Sequence, residues 1–366
     1  MTRFGFILHA LKAADAARKY PVARYLPDSV VEWLMAMMPN RFISEITGIE
    51  SPTGARTEGC FIGCMLTSRQ LLEGDPEKST ARIIDACKMA ADNGAQIVGL
   101  GALTAVVGDK GITIAEKTDI GVTTGNSYTV ATAVEGLLKG AEMIGHDPAS
   151  STVAILGATG SIGKVCAKLL APNVARLVVV GRRPEALEQL VDELRGDGGR
   201  TPDIEWTTDI PSALSKAPLI IAVTSALDSV VEPHDLLPGA VVCDVARPRD
   251  VSVAVAQNRA DVLVIEGGAV AVPGDVDFHF DFGFPPKTAY ACMAETIILA
   301  LEGRTGDYSL GADLTIERVT EIAALARKHG FGLAGFRSFE CTVTEETIDR
   351  VRRLAGEALQ TYPDRD

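Results

Sequence analysis

Two groups of residues in this chain have the types and spacing to do chemistry. The first is Val153-Ala-Ile-Leu-Gly157-Ala158-Thr159-Gly160-Ser161-Ile162-Gly163, a glycine-rich turn between a β-branched run and a helix-like segment. A tight turn at this place aims the N–H groups of the helix start outward, where aligned peptide dipoles favour a pyrophosphate. Its G-x-x-G-x-x-G spacing differs by one position from G-x-G-x-x-G, and the strand–turn–helix context is the one the mechanism requires. The next apolar run ends in Gly181-Arg182-Arg183. A chain that binds NAD places an acidic residue there for the ribose hydroxyls, whereas two arginines suit the 2′-phosphate of NADP(H). Thr224-Ser225 and Gly267-Gly268 end later runs, where a nicotinamide should lie; the glycines allow close backbone approach, and a plain turn would read the same.

The second group is Cys292 in Pro285-Pro-Lys287-Thr-Ala-Tyr290-Ala-Cys292-Met-Ala-Glu295. A helix starting at Pro286 puts Cys292 in its second turn, too deep for much help from the helix dipole. A lowered thiol pKa then needs another group, with Lys287 and an orienting backbone as candidates. The residue reads either as a nucleophile or as a small buried hydrophobe. Cys60 and Cys64 form a lone C-x-x-x-C without a second pair or a nearby His, and no metal site is expected. The five histidines are dispersed, His9 among them, and no G-x-S-x-G elbow occurs, which disfavours a serine hydrolase.

The elements that must position these groups fall into a pattern. Residues 42–49, 55–65, 97–107 and 112–114 read as short strands and 78–93 as a helix, giving an N-terminal α/β domain over 1–148. Residues 127–144 read as a helix that Asn126 or Ser127 can cap. From 152 the runs 153–156, 177–180, 219–223, 241–245 and 262–265 alternate with helices at 161–170, 184–194 and 211–216. That is an α/β, doubly wound parallel-sheet (Rossmann) domain for NADP(H), assigned to 149–284. A helical segment, 285–366, follows with helices at 288–302, about 315–329 and 344–361.

At 366 residues the chain has room for two to three domains, and 47% hydrophobic with 23% charged residues excludes disordered and coiled-coil classes. A net charge of −13 argues against nucleic acid. Seven widely spaced cysteines fit a reduced, cytoplasmic protein rather than a disulfide framework. The first twenty residues lack a small-residue cleavage site, and Leu11, Ala14 and Ala17 predict an amphipathic helix rather than a signal peptide. No stretch is long enough to span a membrane. The segment VVEWLMAMM, residues 30–38, is expected to be a core-facing helix, with transient lipid contact as the other reading.

Six segments, taken in order, resemble the cyanobacterial-type long-chain acyl-acyl carrier protein reductases. They are Phe4-Gly-Phe-Ile-Leu-His9, Glu58-Gly-Cys60-Phe61, Thr123-Thr124-Gly-Asn126, Gly157-Ala-Thr-Gly160, Glu266-Gly-Gly268 and Ala289-Tyr-Ala-Cys292-Met-Ala-Glu295, spread over residues 4–336. The resemblance implies NADPH-dependent reduction of a fatty acyl thioester of acyl carrier protein or coenzyme A to an aldehyde. It also implies Cys292 as a nucleophile that forms an acyl-enzyme thioester. Thr124 and Asn126 are then candidates for positioning substrate or stabilising an oxyanion, with plain helix capping as the alternative. The chain departs from the family at Ser161, where an acidic residue is common, and in an added segment beyond residue 337, read as an oligomer contact or a lid. Docking an acidic carrier would fall to Arg18-Lys19, Arg327-Lys328 and Arg350/Arg352/Arg353. The competing readings are a shikimate-dehydrogenase-like ketone reductase without a covalent step, a glutamyl-tRNA-reductase-like thioester reductase, and a non-catalytic NADP(H) sensor.

Overall fold

Apolar runs build two six-stranded sheets, one in each of two compact units. The computed structural model describes residues 1–18, 21–196 and 202–361; Lys19 and the Arg18 side chain of the expected basic cluster lie outside them. Along the chain the strands are β1 (Arg3–Ala10), β2 (Arg41–Glu50), β3 (Arg56–Thr67), β4 (Ile97–Leu100), β5 (Gly121–Thr123), β6 (Thr152–Leu156), β7 (Arg176–Val180), β8 (Asp203–Thr207), β9 (Leu219–Ala222), β10 (Val241–Asp244), β11 (Leu263–Glu266), β12 (Ala269–Ala271), β13 (Gly274–Asp277) and β14 (Thr288–Tyr290). The helices are α1 (Asp28–Met37), α2 (Ser68–Glu73), α3 (Pro76–Asp92), α4 (Ile112–Glu116), α5 (Asn126–Ile144), α6 (Ser161–Leu170), α7 (Pro184–Gly196), α8 (Ile210–Leu214), α9 (Val253–Asn258), α10 (Ala291–Leu301), α11 (Ile316–Lys328) and α12 (Glu345–Thr361).

The first unit comprises Met1–Tyr128, Val270–Leu314 and Arg318–Gly332. Its sheet runs β13-β2-β3-β1-β4-β5. β1 pairs in parallel with both β3 and β4, and β2 and β13 add antiparallel at one edge. β1 lies inside the sheet, and Phe4, Phe6 and Ile7 are wholly buried. FGFIL is apolar because both faces of a central strand are covered, and the helix expected from Leu11, Ala14 and Ala17 follows it as a 3-10 helix over Ala13–Arg18. Two strand expectations also change. β4 stops at Leu100, and Ala102–Ala105 is a 3-10 turn. Residues 112–116 are helical because the Asp109 carboxylate accepts the Thr113 N–H at 3.0 Å and its hydroxyl at 2.5 Å, which favours a helical turn over the extended form that Ile-Thr-Ile suggests. On α1, Val31 and Met35 pack with Ala13, Ala23 and Met65. Val30, Trp33, Leu34 and Met37 are exposed, so this helix is not simply core-facing.

The second unit comprises Thr129–Ala269, Thr315–Glu317 and the chain from Leu333. Its six strands are all parallel in the order β11-β10-β9-β6-β7-β8, a doubly wound Rossmann-like sheet. Val, Ile, Leu and Ala fill β6, β7 and β9 because helices cover both faces. β8 went unread in the sequence; as an edge strand its DIEWT is half polar.

The segment expected at 285–366 divides between the units. β14 and α10 join the first unit, where α10 packs on β1 and β4, while the extension joins the second. Arg337–Ser338 and Cys341–Thr342 form a short antiparallel hairpin. The Glu340 N–H donates to Glu266 Oε1 at 2.9 Å, and α12 buries Ile348, Val351 and Ala355. Among the described residues no helix is long and apolar enough to cross a membrane.

Candidate functional site

Ten of the eleven residues of α10 are buried, and Cys292 is the one that keeps accessible surface. The helix begins later than its sequence suggests. Thr288–Tyr290 is a strand, Tyr290 is an extended N-cap (φ −68°, ψ 147°), and Cys292 is the second residue of the first turn. The sulfur is therefore within reach of the helix N-terminus after all. Burial pushes its thiol up to about 12, opposed by the N–H groups of Met293, Ala102 and Cys292 itself and reinforced by the charge of Glu295. Lys287, expected to assist, pairs instead with Asp275 at 2.7 Å and is half exposed.

The loop Thr123–Asn126 lies against this turn. Gly125 has φ +74°, and a Cβ there would sit 2.2 Å from the Cys292 Cα, so only glycine lets the backbone come this close. Glu295, one turn beyond Cys292 and fully buried, holds the loop in place. It accepts the Thr123 hydroxyl at 2.5 Å and the Tyr128 N–H at 2.8 Å. The Gly125 N–H and the Ser309 hydroxyl also donate to it, and burial raises its carboxyl above the ordinary range. The Thr124 hydroxyl donates to the Ser309 carbonyl, so its proton is not offered to an oxyanion and its part is to brace the loop. Asn126 is half-buried as the first residue of α5.

An aromatic run missed in the sequence leads up to Tyr290, the N-cap of the helix that carries Cys292. In Asp277-Phe278-His279-Phe280-Asp281-Phe282-Gly-Phe284 the charged residues are exposed, Phe278 is buried and the other three rings are half-buried. Phe61 of β3 stacks on Phe278 at 5.9 Å and meets Phe282 at 5.5 Å. Phe282 lies 5.8 Å from Phe284, and Phe284 lies 4.4 Å from Tyr290, the N-cap of the cysteine's helix. The alternation of apolar with charged residues was the available signal.

In the second unit the glycine turn joins β6 to α6. Gly157 has φ +79°, and a Cβ there would meet the Val223 carbonyl at 2.7 Å; one at Gly163 would meet the Gly157 carbonyl at 2.4 Å. Gly160 caps α6 without a side-chain bond, which leaves the start of this ten-residue helix clear for an anion. Ala158 is buried beneath the turn; Thr159, Ser161 and Ile162 are half-buried along it. Arg182 and Arg183 are exposed just past β7, the strand beside β6. These residues fit NADP(H): the turn would hold the pyrophosphate and the arginines the 2′-phosphate.

The other expected contacts have local explanations. The Thr224 N–H and hydroxyl both go to Asp250, at 2.8 and 2.5 Å, while Ser225 is exposed. A Cβ on Gly267 would strike Val245 at 2.6 Å and the Cys243 sulfur at 2.8 Å, and Gly268 takes a left-handed turn at φ +87°. Asp244, with burial pushing its carboxyl up to about 6, accepts the N–H groups of Ala246 and Val251 and so ties down the loop after β10. Three members of the expected basic clusters have acidic partners beside them: Lys328 pairs with Glu302, Arg352 with Asp349 and Arg353 with Glu357.

The shikimate/quinate 5-dehydrogenase family model matches residues 139–266, ending on the last residue of β11. The long-chain acyl-[acyl-carrier-protein] reductase of Synechococcus elongatus is 29% identical over 90% of this chain and 98% of its own length. The aminotransferase PigE of a Serratia strain is 34% identical over 83% of this chain, which spans only 35% of that protein. Among solved structures, L-tryptophan dehydrogenase from Nostoc punctiforme aligns with 98% of this chain and 89% of its own at 14% identity and a TM-score of 0.40.

Proposed function

We propose that the protein is an NADPH-dependent reductase of acyl thioesters that forms an aldehyde through an acyl group carried on Cys292. The observation that carries this reading is the one accessible residue of a buried helix: a thiol in the first helical turn, faced by backbone N–H groups, in a chain that also carries a dinucleotide-binding unit. The near end-to-end similarity to an acyl-carrier-protein reductase supports it. PigE is matched over only 35% of its own length, so the activity of that whole protein is not carried over to this chain.

Cys292 attacks the carbonyl carbon of the acyl donor. The new C–S bond forms as the donor's C–S bond breaks, and the departing thiol of acyl carrier protein or coenzyme A takes the proton. NADPH, which the glycine turn and Arg182 and Arg183 would hold, would supply the hydride, the two electrons that reduce the acyl carbon. The resulting thiohemiacetal on Cys292 collapses to aldehyde and thiolate, which the N–H groups of Ala102 and Met293 stabilise until it is reprotonated. Glu295 keeps the Gly125 loop pressed on the cysteine throughout. The half-buried rings of Phe282, Phe284 and Tyr290 offer the acyl chain an apolar wall.

Intact mass after mixing with long-chain acyl-coenzyme A or acyl-carrier protein, without NADPH, tests the proposal. One acyl adduct is expected, absent in Cys292→Ala and discharged as aldehyde when NADPH is added. The family match over 139–266 favours a second reading, reduction of a ketone with no covalent step. It predicts no adduct and full carbonyl reduction by Cys292→Ala.

A further inference from the structure

The 3-10 turn after β4 is held in an uncommon conformation beside the reactive thiol. Ala102 has φ +46°, a left-handed value that an L-residue adopts only when its surroundings hold it there. Three contacts pin its flanks. The Gly101 N–H donates to the Ile7 carbonyl at 3.1 Å, the Thr104 hydroxyl donates to the Gly101 carbonyl at 2.7 Å, and the Leu103 N–H donates to His9 Nε2 at 3.1 Å. The Ala102 N–H, between these anchors, faces the Cys292 sulfur.

His9 is suited to its part by its protonation. Nδ1 lies 3.0 Å from the Ala10 carbonyl, which can only accept, while Nε2 meets an N–H, which can only donate. The two partners therefore fix one neutral tautomer, with the proton on Nδ1 and a lone pair on Nε2. Burial holds the ring neutral by pushing its pKa down to about 4. The charged groups that bear on the pair are Asp15, near His9, and Glu295, near Cys292.

We propose that His9 is a positioning residue for the nucleophile: by accepting the Leu103 N–H it keeps the turn left-handed and the Ala102 N–H aimed at the Cys292 sulfur. The inference rests on the reading of Cys292 as a nucleophile. It adds that thiolate formation at Cys292 depends on a histidine that exchanges no proton with it.

Alkylation of the full-length chain by iodoacetamide, followed residue by residue by peptide mass between pH 6 and 10, tests this without any acyl donor. The variants are His9→Gln, whose amide oxygen can occupy the place of Nε2, and His9→Asn and His9→Leu, which cannot reach the Leu103 N–H. Because thiolate is the reacting species, His9→Asn and His9→Leu should move the Cys292 profile up by about one pH unit, about tenfold slower at pH 8. His9→Gln should stay within about threefold of the parent protein. Exposed Cys341 should keep one profile in all of them. If His9→Leu fails to fold, the Gln and Asn variants still make the comparison. Superimposable Cys292 profiles, or a Gln variant shifted as far as Asn, would overturn the proposal. An absent acyl adduct in the mass experiment, with these shifts present, would remove the thioester chemistry and leave the positioning role standing.

Discussion

At the scale of single residues, the cysteine's setting decides more than its identity. Cys60, Cys64, Cys87 and Cys166 are buried, with thiols pushed up by desolvation, and none starts a helix. Cys292 is desolvated as strongly but sits where backbone donors converge. Sequence could point to it only by resemblance, because neither Gly125 nor Ala102 is near it along the chain. The same burial has a thermodynamic consequence at His9. Its folded-state pKa is about 4 against an ordinary value of 6.5, so between those pH values the unfolded chain binds a proton that the folded chain refuses. The stability this ring supports is fully present above pH 6.5 and is lost as pH falls toward 4, by up to about 3 kcal/mol. Urea denaturation of the parent protein and His9→Gln at pH 7.5, 6 and 5 should therefore show a steeper loss in the parent. Parallel slopes would mean that the ring is protonated as readily in the folded chain as in the unfolded one.

Elements were legible where pattern and burial agree. The run of β-branched strands from β6 to β11 announced a parallel sheet covered on both faces, and α6 begins and ends where its sequence predicts. The start of α10 was misplaced because Thr288-Ala-Tyr290 carries no capping side chain and pairs as a strand instead. The aromatic run was hidden for another reason: Phe278, Phe280 and Phe282 alternate like an ordinary strand, and only the fold shows them leading to Tyr290. These rings have a measurable part if the acyl group lies against them. Phe282→Ala and Phe284→Ala remove apolar surface from the wall without touching Cys292. Each should slow acylation of Cys292 by long-chain donors roughly tenfold while leaving acetyl transfer within about twofold. Equal losses for both donors would assign the rings to folding alone.

Over the whole molecule, the division into units follows contacts rather than sequence order. Residues 285–366 looked like one helical tail, yet α10 completes the core of the first unit and the extension is built into the second. What sequence read as a lid or an oligomer contact is anchored by a chain of ion pairs and hydrogen bonds. Glu266, buried at the end of β11, is approached by Arg247, Arg249 and Arg337, and it accepts the Glu340 N–H. Phe339 lies under the Arg249 guanidinium and packs on the core of the second unit, while Ala355 of α12 comes within 2.9 Å of where a Gly239 Cβ would stand. Removing the chain after Phe336 would leave Glu266 facing water and expose the apolar seat of Ile348 and Val351. Those two side chains alone bury surface worth roughly 3–6 kcal/mol, from which the entropy of ordering the tail must be subtracted. A chain ending at Phe336 should therefore lose at least about 2 kcal/mol in urea denaturation and bind NADPH less tightly, since the seat belongs to the sheet that carries the glycine turn. An unchanged midpoint would show that the extension rests on the sheet without supporting it, and would return it to the roles of lid or contact that its sequence first suggested.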